Sequence, residues 1–531
     1  MSFPVLLAVF AIPTISIPFV YFTGKKSPKA AAIFVALIAL INIILVLSTV
    51  PTVLNSASHR YTESYTWIPT LNSTNFSLFV DGISASVALI SLVLIFVAAL
   101  FSVNYMAGKK NLPSYYALLC MLSVGLIGVF LTSNLLLFYF CWELMLVPAY
   151  FIVGEWGYRN SYKSAFKLFI FTHAGAVFVL LGIGAIYYLT GTTDMFAAQH
   201  LLASAAPDIV KWVLIALTAG FAVKMAVFPV HMWLPDAHSE APAPMSALLS
   251  GVIISAGAYA IIRLSFGIVF PSVGIAFGTG FLEALSIIGV ITAFFGSFLA
   301  LVATDIKRLI AYSSIAHMGY IMFGLSLFPV SLAAGTTILL LSATAIVGTI
   351  LHIITHAASK GLFFLTAGGV MHQTEERDIR KMGGLASKMP FSTVSGTIAA
   401  LSIAGAPPLA CFISEFLIFV GAIQIINATG GASSFYVIPT ALMLIATVFS
   451  LAYALRFVSK VFLGTSKDEA GAEEGHNDSA EHIKEESHKI VDVPNYMKVS
   501  LAILVVLVVL IGIYPTFFIN LIQTVTFGGA I

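Results

Sequence analysis

Apolar runs of about twenty residues, separated by short polar breaks, repeat along nearly all of the 531-residue chain. About 20 such residues cross the hydrocarbon core of a bilayer. The pattern predicts about 14 transmembrane helices, at roughly 3–22, 30–50, 78–105, 113–132, 134–153, 162–189, 210–235, 242–266, 282–303, 306–328, 333–371, 390–427, 434–463 and 495–520. Two of these runs are broken by proline: 210–235 holds Pro229 and Pro235, and 390–427 holds Pro407-Pro408. The run 333–371 would reach ~60 Å as a straight helix at ~1.5 Å per residue. A kink, a strong tilt or a division is expected there, with Gly348 and Gly361 as break points. The stretch Ser466–Lys498, rich in Glu, Lys, His and Gly, leaves the pattern and reads as a flexible cytoplasmic loop.

Composition agrees with an all-α polytopic membrane protein. Hydrophobic residues make up 59% and charged residues 9% of the chain, and mean hydropathy is +1.01. A net charge of +2 gives no reason to expect nucleic acid. Cys120, Cys141 and Cys411 lie apart in apolar runs, which argues against a disulfide framework or an iron–sulfur or zinc site. His476, His482 and His488 are irregularly spaced with no cysteine beside them, so no metal site is expected there either. The first run lacks an A-x-A cleavage site and a second run follows at once, so it reads as a retained helix. Lys25, Lys26, Lys29, Lys109, Lys110, Arg159, Lys163, Lys307, Arg308, Arg377, Arg380, Lys381 and Lys388 all fall on one side of the alternating spans. The positive-inside bias then makes that side cytoplasmic, with both termini outside. The outer loop 51–77 carries two glycosylation tripeptides, Asn72-Ser73-Thr74 and Asn75-Phe76-Ser77.

A few ionisable residues sit inside spans: Glu143, Lys224, Lys360 and Glu415, with His173, His317, His352 and His356. A charge at the centre of a span costs about 2.5–3.5 kcal/mol on insertion scales, so each is a functional candidate with a partner to be named. Structural alternatives stand beside this reading. Glu143 and Lys224 could form a purely structural ion pair, His173 reads as a hydrogen-bonded packing residue, and Arg263 reads as snorkelling from a helix end. His352, His356 and Lys360 repeat every four residues, so they share one helix face. That spacing suits a proton relay with water between the groups. A metal reading lacks a zinc-protease glutamate and a nearby carboxylate in sequence. Lys224 lies about one turn before its break and Glu415 about two turns after its own. Two broken helices, each with one buried charge, suggest two inverted five-helix repeats. The expected division is an N-terminal segment at 1–112, a first repeat at 113–266 broken near 229–235, and a second at 267–463 broken near 405–410. A charged loop at 464–494 and a C-terminal helix at 495–531 follow. Moving a carboxylate towards or away from a desolvated amine switches the proton affinity of the pair, which is how Glu143 would act on Lys224.

The stretches FCWELMLVP, FAVKMAVFPVHMWLPDAHSEAP, DIKRLIAYSSIAHMGY and RDIRKMGGL resemble the antiporter-like membrane subunits of respiratory complex I. That superfamily is shared with Mrp-type cation/proton antiporters and membrane-bound hydrogenases. The resemblance spans roughly 78–463 and is nearest to the chain M type, because Glu415 stands where relatives carry lysine. It implies a 14-helix fold and a proton channel driven by electron transfer elsewhere, with no cofactor bound by this chain. The implied partners are other membrane and peripheral subunits, protons, internal water and lipid, in a plasma membrane or an equivalent energy-coupling membrane. By the same resemblance Glu143 is the acid of the fifth helix, Lys224 the broken-helix lysine, His317 a polar-axis histidine and Glu415 the exit-side acid. The sequence departs from the family at Ser255, where a helix-eight lysine is usual. The resemblance then leaves the link between halves to water and to His317, His352, His356 or Lys360. Rival readings are an Mrp-type antiporter subunit, a hydrogenase subunit, and a scaffold that has lost pumping. The short tail after the last helix suggests a place within a row of antiporter-like neighbours.

Overall fold

The computed structural model describes residues 3–70, 74–328, 336–428, 434–464 and 490–526. The Asn72 tripeptide and the three loop histidines at 476, 482 and 488 lie wholly or partly outside them. The first two helices, α1 (Val5–Lys26) and α2 (Pro28–Asn55), form a hairpin closed by Ser27, whose side chain caps α2 at Ala30 N. A small addition to the all-helical expectation follows, in what the hydropathy pattern leaves as an outer loop. Strand β1 (Tyr61–Ile68) pairs antiparallel with β2 (Thr74–Val80). The Glu63 carboxylate of this hairpin accepts from Leu6 N at 3.0 Å and Leu7 N at 2.9 Å, satisfying free amides in the first turn of α1.

Ten helices then build two like units. The first contains α4 (Leu112–Leu131), α5 (Leu135–Trp156), α6 (Ser161–Thr190), the broken α7 (Pro207–Met225 and Leu234–Glu240) and α8 (Ala243–Ser272). The second contains α9 (Ile275–Val302), α10 (Ile306–Ser326), α11 (Thr336–Thr374), the broken α12 (Pro390–Ile403 and Ala410–Ala428) and α13 (Ser434–Val461). Helix α3 (Gly82–Tyr105) precedes them, and α14 (Asn495–Ile513) and the short α15 (Thr516–Thr526) follow. Among the described residues thirteen helices are long and apolar enough to cross a membrane, and the broken α7 makes the fourteenth span. In each unit the fourth helix is broken and the third packs along it. The chain enters α4 from the lysine-rich side and α9 from the opposite one, so the two units are inverted.

Helix α8 is the enclosed centre, buried over its whole membrane window. It is not a regular helix: Leu249–Ile253 and Ile261–Val269 are π-helical. Helix α11 is a single continuous element of 39 residues. Neither Gly348 nor Gly361 breaks it, because both glycines serve contact instead. A Cβ at 348 would lie 2.7 Å from the Ile418 backbone nitrogen of α12, and one at 361 would lie 2.4 Å from a Leu94 methyl of α3. Small residues let helices approach where lipid supplies no hydrophobic drive between them.

Replacing Gly348 by valine is therefore expected to destabilise the detergent-solubilised protein by about 1–3 kcal/mol through overpacking, seen as a lower Tm. A Cβ at Gly184 meets nothing within 4 Å. Gly184→Ala should leave Tm unchanged or raise it, by up to about 1 kcal/mol of helix propensity.

Candidate functional site: a buried polar axis

Both breaks have a local cause. Proline cannot bond to the carbonyl four residues earlier and its ring clashes there. The first piece of α7 ends at Met225, four residues before Pro229. Ala226 turns left-handed at φ 57, and Val227 N closes the end on Ala222 O at 3.2 Å. The Trp233 indole donates to Val223 O at 2.9 Å, and Phe228 N donates to Thr292 Oγ1 of α9 at 3.2 Å. Protein thus satisfies backbone groups that lipid could not. The second break repeats the device: α12 stops at Ile403, four residues before Pro407, and Gly405 turns left-handed at φ 68. Gly405 has a second role, because a Cβ there would lie 2.5 Å from Glu415 Oε2. A side chain at 405 would both strain the turn and evict the carboxylate.

In the first unit Lys224 is buried. Its ammonium donates to Trp142 O at 3.0 Å and sits 4.0 Å from the centre of the Trp142 ring, a carbonyl and a cation–π contact from one residue of α5. Glu143, the next residue, does not pair with it. Its carboxylate meets His173 Nδ1 of α6 at 3.2 Å instead. The structural Glu143–Lys224 pair allowed by the sequence is not formed. His173 is hydrogen-bonded, as expected from the sequence, and its ring stacks on Phe169 at 5.5 Å, but its side chain is 48% exposed and that of Glu143 27%. Leu144–Met145 is a slight interruption of α5, four residues before Pro148, and it orients this turn.

The second unit brings its predicted residues together. His317 Nδ1 lies 3.1 Å from His352 Nε2 and 3.8 Å from Glu415 Oε1. His352 Nδ1 meets Ser414 Oγ at 2.9 Å, Thr355 Oγ1 meets the same Ser414 oxygen at 2.9 Å, and Tyr453 OH lies 3.4 Å from His317 Nε2. All four ring nitrogens of His317 and His352 therefore have partners. The His356 ring is 5.5 Å from that of His317, with both nitrogens buried and unpartnered. One turn on, the Lys360 ammonium donates to Ser313 Oγ and to Ile310 O of α10. A carboxylate does stand near His352 after all, supplied by α12 and invisible from local spacing. Ligand atoms of His317, His352 and Glu415 lie within 4.8 Å of one another. Their mutual bonds and their hydroxyl neighbours nevertheless make the set read as a hydrogen-bonded chain.

Between the units, Ser255 takes no part: its hydroxyl is buried without a partner. A hydroxyl contact across the boundary is Ser250 Oγ to Ser314 Oγ at 2.8 Å, joining the first π-helical stretch of α8 to α10. His238, from the second piece of α7, is wholly buried, with both nitrogens unpartnered and its ring 5.4 Å from that of Phe364 in α11.

Sequence reasoning missed three features. Lys307, counted among the loop bases, is fully buried, and its ammonium caps the carbonyls of Ser239 and Ala241. Around it Arg377 bonds Asp305 at 2.8 Å and Glu240 at 3.5 Å, while Asp236 holds Lys167 at 2.8 Å and Arg308 at 3.0 Å. This cluster rivets the first broken helix to α10 and to the end of α11. Arg263 does not snorkel; it is buried and paired with Asp81. His238 stood within the PDAH run without a named role. The available signals were the charge density after Pro235 and an aspartate immediately before an apolar helix.

The family described as NADH:quinone oxidoreductase/Mrp antiporter, TM, matches residues 132–437. NADH-quinone oxidoreductase subunit M of Rickettsia conorii is 30% identical over 98% of this chain and 97% of its own length. F(420)H(2) dehydrogenase subunit M of Methanosarcina mazei is 32% identical over 78% of this chain and 81% of its own. A chain of respiratory complex I from Thermus thermophilus, 22% identical, superposes with a TM-score of 0.77 over 98% of both chains, a likeness of fold. The matched region runs from the start of α5 into α13 and holds Lys224, the histidine cluster and both breaks, and the chain belongs to the NADH:quinone oxidoreductase/Mrp antiporter family of membrane subunits.

Proposed function

We propose that this chain is a proton-translocating membrane subunit of a complex I-like NADH (or other donor):quinone oxidoreductase, with the redox chemistry carried by other subunits. The observation that carries the reading is the enclosed sequence of proton-bearing groups. Lys224 sits at the first break and Glu415 at the second, with His317, His352, His356 and Lys360 along α10 and α11 between them. A lysine and an acid of this kind, enclosed at membrane depth, can take and release protons without exposing charge to lipid. Lys224 serves as the proton-holding group of the first half and Glu415 as that of the second. Glu143 acts on Lys224 from the adjacent turn.

The Glu143–His173 pair also bears on partners. It lies at membrane depth on an outer face among Phe140, Phe166 and Ile170, which are 57%, 59% and 46% exposed. A carboxylate with an imidazole is costly against hydrocarbon. In the assembly this face is covered by an adjacent membrane subunit.

Lys224→Met in the assembled complex, reconstituted into liposomes, should leave subunit content intact and lower proton uptake per electron pair on the order of 10²-fold if Lys224 is an obligate carrier. Unchanged uptake would remove the carrier role. Glu415→Gln is expected to act in the same direction, and Glu415→Asp to recover part of the loss. If cation gradients drive proton movement with no electron donor present, the Mrp-type antiporter reading replaces this one. A photo-crosslinking residue at Phe166 should capture another membrane subunit, whereas one at Tyr188, which is 84% exposed on the same helix, serves as the comparison site. Lipid adducts alone at Phe166 would exclude the covered face.

A further inference from the structure

We infer that Ser414, the residue before Glu415, fixes the tautomer of His352, so that Nδ1 keeps its hydrogen and Nε2 is the nitrogen that exchanges protons. Ser414 is a positioning residue: it acts through the imidazole and passes no proton onward itself. This rests on the reading of the histidines and Glu415 as proton-bearing groups. Ser414, Thr355 and His352 are all completely buried. A hydroxyl has one hydrogen to give and two lone pairs. Ser414 Oγ has three neighbours at 2.9 Å: His352 Nδ1, Thr355 Oγ1 and the Cys411 carbonyl oxygen. The carbonyl can only accept, so that contact takes the one hydrogen, in the bond to the preceding turn that a serine within a helix can make. Thr355 then donates to one lone pair of Ser414, and His352 fills the other only if its Nδ1 is protonated. Were Ser414 to donate to a bare Nδ1 instead, the Cys411 contact would be lost and the buried group would make one hydrogen bond fewer.

The far side of the ring fits the same assignment. With Nδ1 protonated in the neutral imidazole, Nε2 presents a lone pair, and His317 Nδ1 at 3.1 Å becomes its donor. His317 Nε2 is then bare and takes the Tyr453 hydroxyl hydrogen across 3.4 Å. Every hydrogen from Tyr453 to Cys411 has an acceptor, in one continuous direction. The reverse direction, begun from the Thr355 hydroxyl, leaves the Cys411 contact unmade.

The consequence is a one-sided imidazole. Nε2 faces His317, whose Nδ1 also lies 3.8 Å from Glu415 Oε1, so exchange is directed to the side shared with the acid. Beyond Ser414 stand the Cys411 carbonyl and Thr355, which in turn reaches the His352 carbonyl at 3.3 Å, and neither carbonyl takes a proton onward. Orienting a histidine through the hydrogen bond of its other nitrogen is a general way to select which nitrogen works. Position adds a mechanical link. Ser414 and Glu415 are neighbours in the second piece of α12 (Ala410–Ala428), just after the break. A shift of that piece that withdraws the Glu415 carboxylate also withdraws the acceptor of His352 Nδ1–H.

The test uses the whole assembled complex with isotope-labelled histidine. Infrared spectra separate the two neutral imidazole tautomers, and the bands lost in His352→Gln are those of His352. The parent complex is expected to hold His352 as the Nδ1–H tautomer. Ser414→Thr, which keeps the hydroxyl, should hold it too, and Ser414→Ala should not. In liposomes Ser414→Ala should lower the rate of proton uptake about tenfold or more, as when a histidine loses its orienting partner, with Ser414→Thr close to the parent. An Nε2–H tautomer in the parent overturns the inference with no Ser414 variant needed, which keeps it falsifiable if Ser414→Ala fails to assemble. Parental uptake in Ser414→Ala overturns it as well, and so does lowered uptake with unchanged His352 bands, the mark of a packing defect alone. Glu415→Gln run alongside separates the two claims. If that variant stops pumping while Ser414→Ala changes nothing, the tautomer assignment alone is wrong. If it pumps as the parent does, the relay reading beneath it fails first.

Discussion

Hydrocarbon offers no hydrogen bonds, and the two broken helices and the enclosed ionisable groups of this chain answer to that constraint. A helix interrupted at mid-depth frees amides and carbonyls, and an ionisable side chain adds a charge that lipid cannot solvate. The fold places both kinds of group where neighbouring helices can enclose them. The first break is closed by its own left-handed Ala226, by the Trp233 indole and by Thr292 of α9. The second is closed by Gly405 and packed by α14, where a Cβ at Gly512 would lie 2.1 Å from Pro408 O. Each unit's break is thus sealed partly by a helix outside that unit. The complete enclosure of α8 follows from the same need, since it stands between the two sets of polar groups.

The spans were legible because hydropathy reports burial in lipid directly, and all fourteen appear close to their expected places. The breaks were legible because proline acts on the carbonyl four residues earlier, so their sites follow from local stereochemistry. Pairings were not. Sequence spacing put His352, His356 and Lys360 on one face, and the structure agrees. That His317 and Glu415 complete the cluster depends on how α10, α11 and α12 pack. Lys307 shows the limit of reading charge by position. One residue past a helix start, it resembled a loop base, yet the carbonyls at the end of the first broken helix bury it. Gly348 and Gly361 show the converse. They resembled breaks, but a glycine's missing Cβ can serve a neighbour's approach as readily as a turn.

The two units share topology but not chemistry. The first holds a cation against a carbonyl and an indole face, with its acid turned towards an outer face. The second holds an acid against two coupled imidazoles, with all three groups enclosed. An amine is charged when it carries its proton and a carboxylate when it has lost one. Electrostatic events therefore act on the two halves in opposite senses: a negative charge brought near tightens the proton on Lys224 and on Glu415 alike, but it stabilises the charged form of the first and the neutral form of the second. Inversion of the fold is thus accompanied by inversion of the charge state that accompanies proton binding.

Serine at position 255 makes sense against that asymmetry. A lysine there would set a third basic group between Lys224 and Lys360, within a helix buried over its whole membrane window. Near it the halves meet through the Ser250–Ser314 hydroxyl pair and the His238 ring, which lies against Phe364 one turn beyond Lys360. Both contacts reach α10 or α11 from the Pro235–Ser250 region, passing around the middle of α8 and away from Ser255. The Arg377–Glu240–Asp305 cluster with Lys307 fixes that same region to the second unit. The two units are fastened at the riveted turn after the first break, where geometry is held by charge pairs, while at the centre of α8 the Ser255 hydroxyl has no partner.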